Sequence, residues 1–171
     1  MKIMILNGSP HRKGTTAAMV GAFAEGAREA GHDIARFDVA FMDIAGCRAC
    51  EHCHSHGGAC AIRDDMEQIY ALFDEVDMIV FASPVYYGSF SAQLHAAINR
   101  TYARGIPAKA TKTALLLSSG SPGVYAAAER IYRGFLQGWY GTEDRGIVEA
   151  PGREAYSGEV RERLFQLGRS A

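Results

Sequence analysis

Residues 1–16, MKIMILNGSPHRKGTT, pass from an apolar segment straight into a loop of small and hydroxylated residues. Lys2 to Leu6 form an almost unbroken apolar run, the pattern of a central parallel strand covered on both faces. Asn7 to Thr16 then bring two Gly, a Ser, a Pro and two Thr, and a helical pattern follows. An anion held at such a strand–loop–helix junction meets free backbone N–H groups and the positive end of the helix dipole. Ser9, Thr15 and Thr16 add hydroxyl donors. An ordinary βα turn has the same outline, so the loop needs support from the rest of the chain.

Spacing narrows the ligand. A dinucleotide fingerprint requires G-x-G-x-x-G and a P-loop requires G-x-x-x-x-G-K-[ST]. Here Gly8 and Gly14 are six apart and Thr15-Thr16 follow with no intervening Lys. ATP, GTP and a nicotinamide dinucleotide diphosphate are poor fits to this loop. A single phosphate carried by a mononucleotide such as FMN fits better.

Working outward, Ala17 to Ala30 read as a helix with Val20, Phe23, Ala24 and Ala27 on one face, closed by Gly31. Ile34 to Val39 form a second strand, less apolar than the first because of Arg36 and Asp38, which suits a sheet edge. Residues 40–63 hold every cysteine and little periodicity, the signature of a long functional loop. Asp64 reads as an N-cap with Glu67 three residues on, and Met66, Ile69, Tyr70 and Phe73 make a buried helical stripe. Met78 to Ala82 and Thr113 to Leu117 are two more buried strands around a helix at Ala92 to Tyr102, with Leu94, Ala97 and Ile98 inward. Val124 to Trp139 form a fourth helix and Gly146 to Ala150 a fifth strand. Val160, Leu164 and Leu167 mark the last helix.

Strict alternation of strand and helix predicts a three-layer α/β fold with a five-stranded parallel sheet. The flavodoxin-like order 2-1-3-4-5 places the weak second strand at an edge and a ligand crevice at the carboxyl ends of strands 1 and 3. Three unusual loops leave the carboxyl ends of strands 1, 3 and 4: SPHRKGTT, SPVYYGSFSA and SSGSPG. In the second, a Pro, two adjacent Tyr and a Gly allow backbone and aromatic faces to approach a flat ring. Tyr86 and Tyr87 taken alone read equally well as structural. The third loop adds Ser118, Ser119 and Gly120 at the same rim.

With 171 residues, 48% hydrophobic and 22% charged, the chain has the balance of one globular domain, residues 1–171. A net charge of −1 gives no electrostatic footprint for nucleic acid or an anionic membrane. No apolar run approaches a membrane span, and the first strand begins without a signal peptide, so a cytoplasmic location is expected. Cysteines there are thiols, metal ligands or redox groups rather than structural disulfides.

Cys47, Cys50, Cys53 and Cys60 give C-x2-C-x2-C-x6-C within the loop. Such spacing can place four thiolates around a compact soft centre, the ligand number of a [4Fe–4S] cluster. Cys₄ is also a zinc set, and His52, His54 and His56 are interleaved as alternative donors. Free thiols are the third reading, with the His as solvated loop residues. Asp64 and Asp65 are explained by a helix N-terminus, Glu143 to Arg145 by a solvated turn, and Trp139 and Tyr140 by core or interface packing. No Ser-His-Asp set or zinc-hydrolase signature is present.

Taken in order, N-G-S-P-x-x-x-G-x-T, the cysteine loop ending in D-D-M, S-P-V-Y-Y-G and S-S-G-S-P-G resemble the flavodoxin-like NAD(P)H-dependent FMN reductases, and among them the iron–sulfur flavoprotein branch. The resemblance covers nearly the whole chain. It implies that Ser9, Thr15 and Thr16 hold the FMN phosphate with His11 and Lys13 nearby. Pro84, Val85, Tyr86, Tyr87 and Gly88 would line the isoalloxazine ring, and Ser119 and Gly120 would close its other side. His11 replaces a frequent Arg and Thr15 a frequent Asn; both still donate to phosphate. Cys47, Cys50, Cys53 and Cys60 would hold the cluster. The implied activity is electron transfer between NAD(P)H or an iron–sulfur donor and a small acceptor such as a quinone, in a homodimer or homotetramer. Two alternatives stand beside it: an electron carrier or redox sensor without small-molecule turnover, and a flavin-free domain whose cysteine loop is a zinc-bearing interaction module.

Overall fold

The computed structural model describes residues 1–171. Strand β1 (Lys2–Asn7) leads into helix α1 (Thr15–Glu29) and strand β2 (Asp33–Asp38). A 3₁₀ turn at Val39–Phe41 and the short helix α2 (His52–Ser55) are the regular pieces of the cysteine loop, which ends at α3 (Met66–Phe73). Then follow β3 (Met78–Pro84), α4 (Ala92–Thr101), β4 (Lys112–Ser119) and α5 (Ala126–Ile131). A π-helical turn (Tyr132–Gln137) joins α5 to α6 (Gly138–Tyr140), before β5 (Glu143–Pro151) and α7 (Gly158–Arg169).

All strand pairs are parallel and the sheet order is β2-β1-β3-β4-β5, as the alternation predicts. Strand apolarity explains the order. β3 is buried along its whole length and β1 nearly so, whereas β2 is nowhere fully buried and lies at an edge. One face of the sheet packs Ile3, Ile5, Val80 and Leu116 against α1 and α7. The other packs Met4, Leu6, Phe81 and Leu117 against α3, α4 and the α5–α6 segment. Helices α1 and α7 approach to backbone contact because Gly26 and Gly168 face each other's chain; a Cβ at Gly26 would collide with the Phe165 carbonyl, and one at Gly168 with that of Phe23. No helix is long and apolar enough to cross a membrane.

Four local expectations are corrected. Helix α1 starts at Thr15 rather than Ala17, which puts both threonines in its first turn. Asp65 rather than Asp64 immediately precedes α3 and makes no side-chain cap, the Asp64 carboxylate accepts from Met66 N–H at 3.1 Å, and no Asp64–Glu67 capping box forms, Glu67 pairing with Arg63 at 2.7 Å. The fourth helix is interrupted by the π turn. Residues Glu143 to Arg145 belong to β5 rather than to a turn, since Glu143 pairs in register with Lys112 and Asp144 accepts from Tyr132 Oη at 2.9 Å and Arg133 Nη1 at 2.9 Å.

Candidate functional site

The three loops that leave β1, β3 and β4 meet at one rim, and hydrogen bonds between distant residues hold them there. Gly8 N–H donates to the Ala82 carbonyl at 2.8 Å, and the Ser91 hydroxyl donates to the Gly8 carbonyl at 2.7 Å. A side chain at Gly8 would put its Cβ 2.5 Å from Ser91 Oγ and 2.6 Å from Leu94 Cβ, so this approach requires glycine. Val85 N–H donates to the Ser118 carbonyl at 2.7 Å. The Thr16 and Ser118 hydroxyls lie 2.8 Å apart although 102 residues separate them in sequence.

Gly14, the N-cap of helix α1, provides no side-chain cap. The N–H groups of Thr15, Thr16 and Ala17 therefore lack an intrahelical acceptor and share the end of a four-turn helix with two hydroxyls. Ser9 and Thr16 are buried, and Ser9 Oγ accepts from His11 N–H at 3.3 Å, folding the loop back on itself. Donors of this kind suit a terminal phosphate. His11 and Lys13 are exposed at the loop's outer edge, and Arg12 stacks 3.8 Å over the Phe41 ring. Hydrogen bonds and strand register thus unite Thr16, Pro84 and Val85 with Ser118, while Ser9 is buried within its own loop, bonded to Asn7 and His11, and His11 and Lys13 are exposed.

The loop after β3 ends in a two-residue hairpin turn. Tyr86 and Ser89 exchange two hydrogen bonds of 3.0 Å, and Tyr87 (φ 52°) and Gly88 (φ 75°) are both left-handed, the geometry of a type I′ turn. Tyr87 is fully exposed at the tip and Tyr86 is half exposed. A tyrosine in this backbone region is strained by about 1–2 kcal/mol. Across the rim, the Ser119 hydroxyl lies 2.6 Å from Tyr125 Oη and donates to the Ser121 carbonyl at 2.6 Å, with Gly120 exposed beside it. Ser118, rather than Ser119, reaches the phosphate-type loop; its place at the end of a buried strand was the available signal.

The cysteine loop forms a second locus. Cys47, Cys50, Cys53 and Cys60 all line one small cavity of about 20 Å³, together with Arg100, Ile62 and Tyr102. Cys53 is buried, Cys60 partly buried, and the other two exposed. The backbone is strained here as well: Ala49 (φ 49°) and Glu51 (φ 56°) are, with Tyr87, the non-glycine residues of positive φ in the chain. No three Cys, His or acidic groups converge on a point that one ion would occupy. Four thiols lining one cavity are, by their chemistry, a donor set that both a [4Fe–4S] cluster and a zinc ion accept. The histidines are engaged elsewhere: His52 and His56 stack at 3.6 Å, and His54 Nδ1 lies 3.0 Å from Glu51.

Sequence reasoning missed the residue that organises this locus. Arg100 on α4 is 1% exposed and makes a two-pronged ion pair with Asp64, 2.6 Å from Nη1 and 3.1 Å from Nη2. The signal was a charged residue three positions after Ala97 on the apolar face of α4. Burial alone would raise the Cys60 thiol pKa, but the Ile62 N–H, the Arg100 charge and the Tyr70 hydroxyl together bring it below the ordinary value. Burial pushes the Tyr70 hydroxyl up to about 12, so it stays a donor, to the Arg100 carbonyl at 2.7 Å.

Residues 1–140 match the sequence model of the family described as NADPH-dependent FMN reductase. An iron–sulfur flavoprotein of Methanosarcina thermophila is 36% identical over 101 residues, 59% of this chain and 52% of the relative. The chain thus spans about half the length of the curated relatives it matches. Among solved structures, a NAD(P)H:quinone oxidoreductase from Methanothermobacter marburgensis is similar over 100% of this chain and 94% of its own, with TM-score 0.77 and 20% identity. An azoreductase from Bacillus anthracis matches over 100% of both chains with TM-score 0.75 and 15% identity. At these identities the structural likeness establishes the shared fold.

Proposed function

Because the chain belongs to the NADPH-dependent FMN reductase family, we propose that it works as an FMN-dependent oxidoreductase moving electrons between NAD(P)H, or an iron–sulfur donor, and a small acceptor such as a quinone. The observation that carries this reading is the uncapped start of α1, where Thr16 meets Ser118 across the sheet. Residues 1–171 act as one FMN-binding unit with residues 40–63 as its cysteine-rich insertion.

In this reading Ser9, Thr15, Thr16 and the free N–H groups of α1 hold the phosphate, with the His11 and Lys13 side chains closing over it from outside. Pro84, Val85, Tyr86, Tyr87 and Gly88 form one wall for the isoalloxazine ring, and Ser119 and Gly120 the other. FMN, when bound, supplies hydride acceptance and release of electrons singly or in pairs. The chain's own residues orient the ring, exclude water and present backbone donors along its edge. Cys47, Cys50, Cys53 and Cys60 hold a [4Fe–4S] cluster, a reading supported by all four cysteines sharing one cavity lining. The unpaired cysteines suit a cytoplasmic setting. The exposed Tyr86, Tyr87, Phe135 and Trp139 suit a homodimer or homotetramer in which a neighbour covers the flavin.

Anaerobic purification tests this directly. Flavin absorption bands with a broad iron–sulfur shoulder, iron and acid-labile sulfide near four each per chain, and NAD(P)H oxidation with a quinone are the expected results. A colourless protein sinks the proposal. Flavin and cluster without turnover of any small acceptor favours a carrier that exchanges electrons with a protein, a reading for which the exposed Cys47 beside Phe135 and Trp139 speaks. A monomer in light scattering would contradict the assembly.

A further inference from the structure

Arg100 has more donors than its partners use. Nη1 donates to the Ala45 carbonyl at 2.9 Å and to Asp64, and Nη2 to the Ile62 carbonyl at 3.1 Å and to Asp64. Those acceptors flank the cysteines on both sides: Ala45 precedes Cys47, and Ile62 and Asp64 follow Cys60. Asp64 adds a tie of its own, accepting from Ala45 N–H at 3.0 Å. The guanidinium thus pins the entry and exit of the loop to α4. Its Nε–H, buried with no acceptor, is left over.

An unpaired N–H inside a protein retains its full desolvation penalty, so such an atom calls for a partner. Arg100 lines the same cavity as the four cysteines, and of the charged residues in that lining it alone is buried, Arg48 and Glu51 being exposed. Sulfur anions are the acceptors such a cavity would gather. We infer that Arg100 is the positioning residue of the cysteine site: it fixes both ends of the loop before any metal arrives, and it keeps its Nε–H for a sulfur of the group the four thiolates bind. The second half rests on the iron–sulfur part of the function proposed above. The first half does not.

Two physical consequences separate this role from mere packing. Arg100 and Asp64 cancel in charge, so what Arg100 contributes is a directed N–H rather than a net field. An N–H donated to a ligating or bridging sulfur stabilises the more negative, reduced state and raises the reduction potential. Lysine keeps the charge but has neither the Nε–H nor the planar fork that reaches Asp64, Ala45 and Ile62 together.

The test uses the full chain, metal-free and after anaerobic reconstitution with ferrous iron and sulfide, as wild type, Arg100→Lys and Arg48→Ala. In the metal-free protein, Arg100→Lys is expected to speed amide hydrogen exchange in residues 45–62 at least tenfold while β1, β3 and β4 keep wild-type protection. In the reconstituted protein, a potentiometric titration followed by electron paramagnetic resonance is expected to give a more negative midpoint for Arg100→Lys. Arg48→Ala, which removes an exposed charge from the same lining but none of the bonds that tie the loop ends to α4, should leave amide exchange at the wild-type value. Unchanged exchange in Arg100→Lys overturns the pin, and an unchanged midpoint overturns the sulfur donor. An Arg48→Ala effect on exchange equal to that of Arg100→Lys also overturns the pin. If Arg100→Lys holds no iron, faster exchange in 45–62 supports the pin and wild-type exchange refutes it. If wild type itself takes up no iron and sulfide, the iron–sulfur reading falls with the Nε–H role, and exchange still decides the pin.

Discussion

Replacing Asp64 with Ala removes the acceptor that serves more of the cysteine loop than any other carboxylate. Its two oxygens receive Arg100 Nη1 at 2.6 Å, Arg100 Nη2 at 3.1 Å, Ala45 N–H at 3.0 Å and Met66 N–H at 3.1 Å. The side chains of the pair are 1% and 5% exposed, so water cannot replace the lost partner. Leaving a guanidinium buried and uncompensated destabilises by about 3–5 kcal/mol. For a chain of this size each kcal/mol lowers Tm by roughly 2–4 °C, which gives a fall of roughly 6–20 °C. The effect also has a pH signature. Burial would raise the Asp64 pKa, but the Arg100 hydrogen bonds, the Ala45 and Met66 N–H groups and the Arg100 charge hold it below the usual carboxylate range. A depressed folded pKa contributes stability above the unfolded value, about 3.9, that is lost as pH falls through the folded one. Urea unfolding of metal-free, flavin-free protein at pH 7 and at steps toward pH 3 measures both effects. The gap between wild type and Asp64→Ala should be widest at pH 7 and should narrow in acid. A loss under 1 kcal/mol at pH 7, or a gap that stays constant down to pH 3, would refute the reasoning. The double variant Asp64→Leu/Arg100→Met, which buries no charge, should lose less than the single one.

Three further outcomes are expected. Thr16→Val keeps shape and removes a buried hydroxyl, so loss of one charge-assisted bond of about 1.5–3 kcal/mol should weaken FMN binding roughly 10–150-fold in a fluorescence-quenching titration; a change under threefold counts against the phosphate assignment. Glu149 is pushed up to about 7 by burial and by the neighbouring Glu129 carboxyl, against the pull of Arg163. The native state therefore holds this proton more tightly than the unfolded chain, and stability should fall as pH rises from about 4.5 to 7. Glu149→Gln should flatten that slope in a Tm-versus-pH series, and a slope equal to wild type would count against the pairing. Tyr87→Asn relieves the left-handed strain at the hairpin tip and should gain about 0.5–1 kcal/mol while lowering quinone turnover; a gain with full activity would show the ring is not used.

What the sequence disclosed was what depends on local pattern. The buried runs at Met78 to Ala82 and Thr113 to Leu117 needed only their apolarity to declare central strands, and Arg36 and Asp38 sufficed to put β2 at the edge. The rim could be anticipated because topology alone carries the three loops to one side. The errors occurred where a distant partner decides the outcome. Glu143 to Arg145 look like a turn until Lys112 supplies a strand to pair with and Tyr132 and Arg133 hold Asp144. Asp64 reads as no more than a helix-start residue, and it does accept from Met66 N–H, but its burial and its pairing depend on Arg100, 36 residues on. The π turn leaves no trace in a helical periodicity read by eye, since one extra residue in a turn shifts the stripe without breaking it.

The hydroxyl contact between Thr16 and Ser118 also orders events in time. It closes a span of 102 residues, and Ser91 to Gly8 closes 83, whereas Arg100 and Asp64 are 36 apart. Parallel strands cannot zip from a hairpin, so β1, β3 and β4 must be brought together across two crossovers before the rim exists. The thiol-bearing loop has its pin available earlier, once α4 forms. Closure of the cysteine loop is thus expected to precede formation of the rim during folding, and flavin capture would report the joining of β1, β3 and β4. In refolding experiments flavin quenching should lag the burial of Arg100.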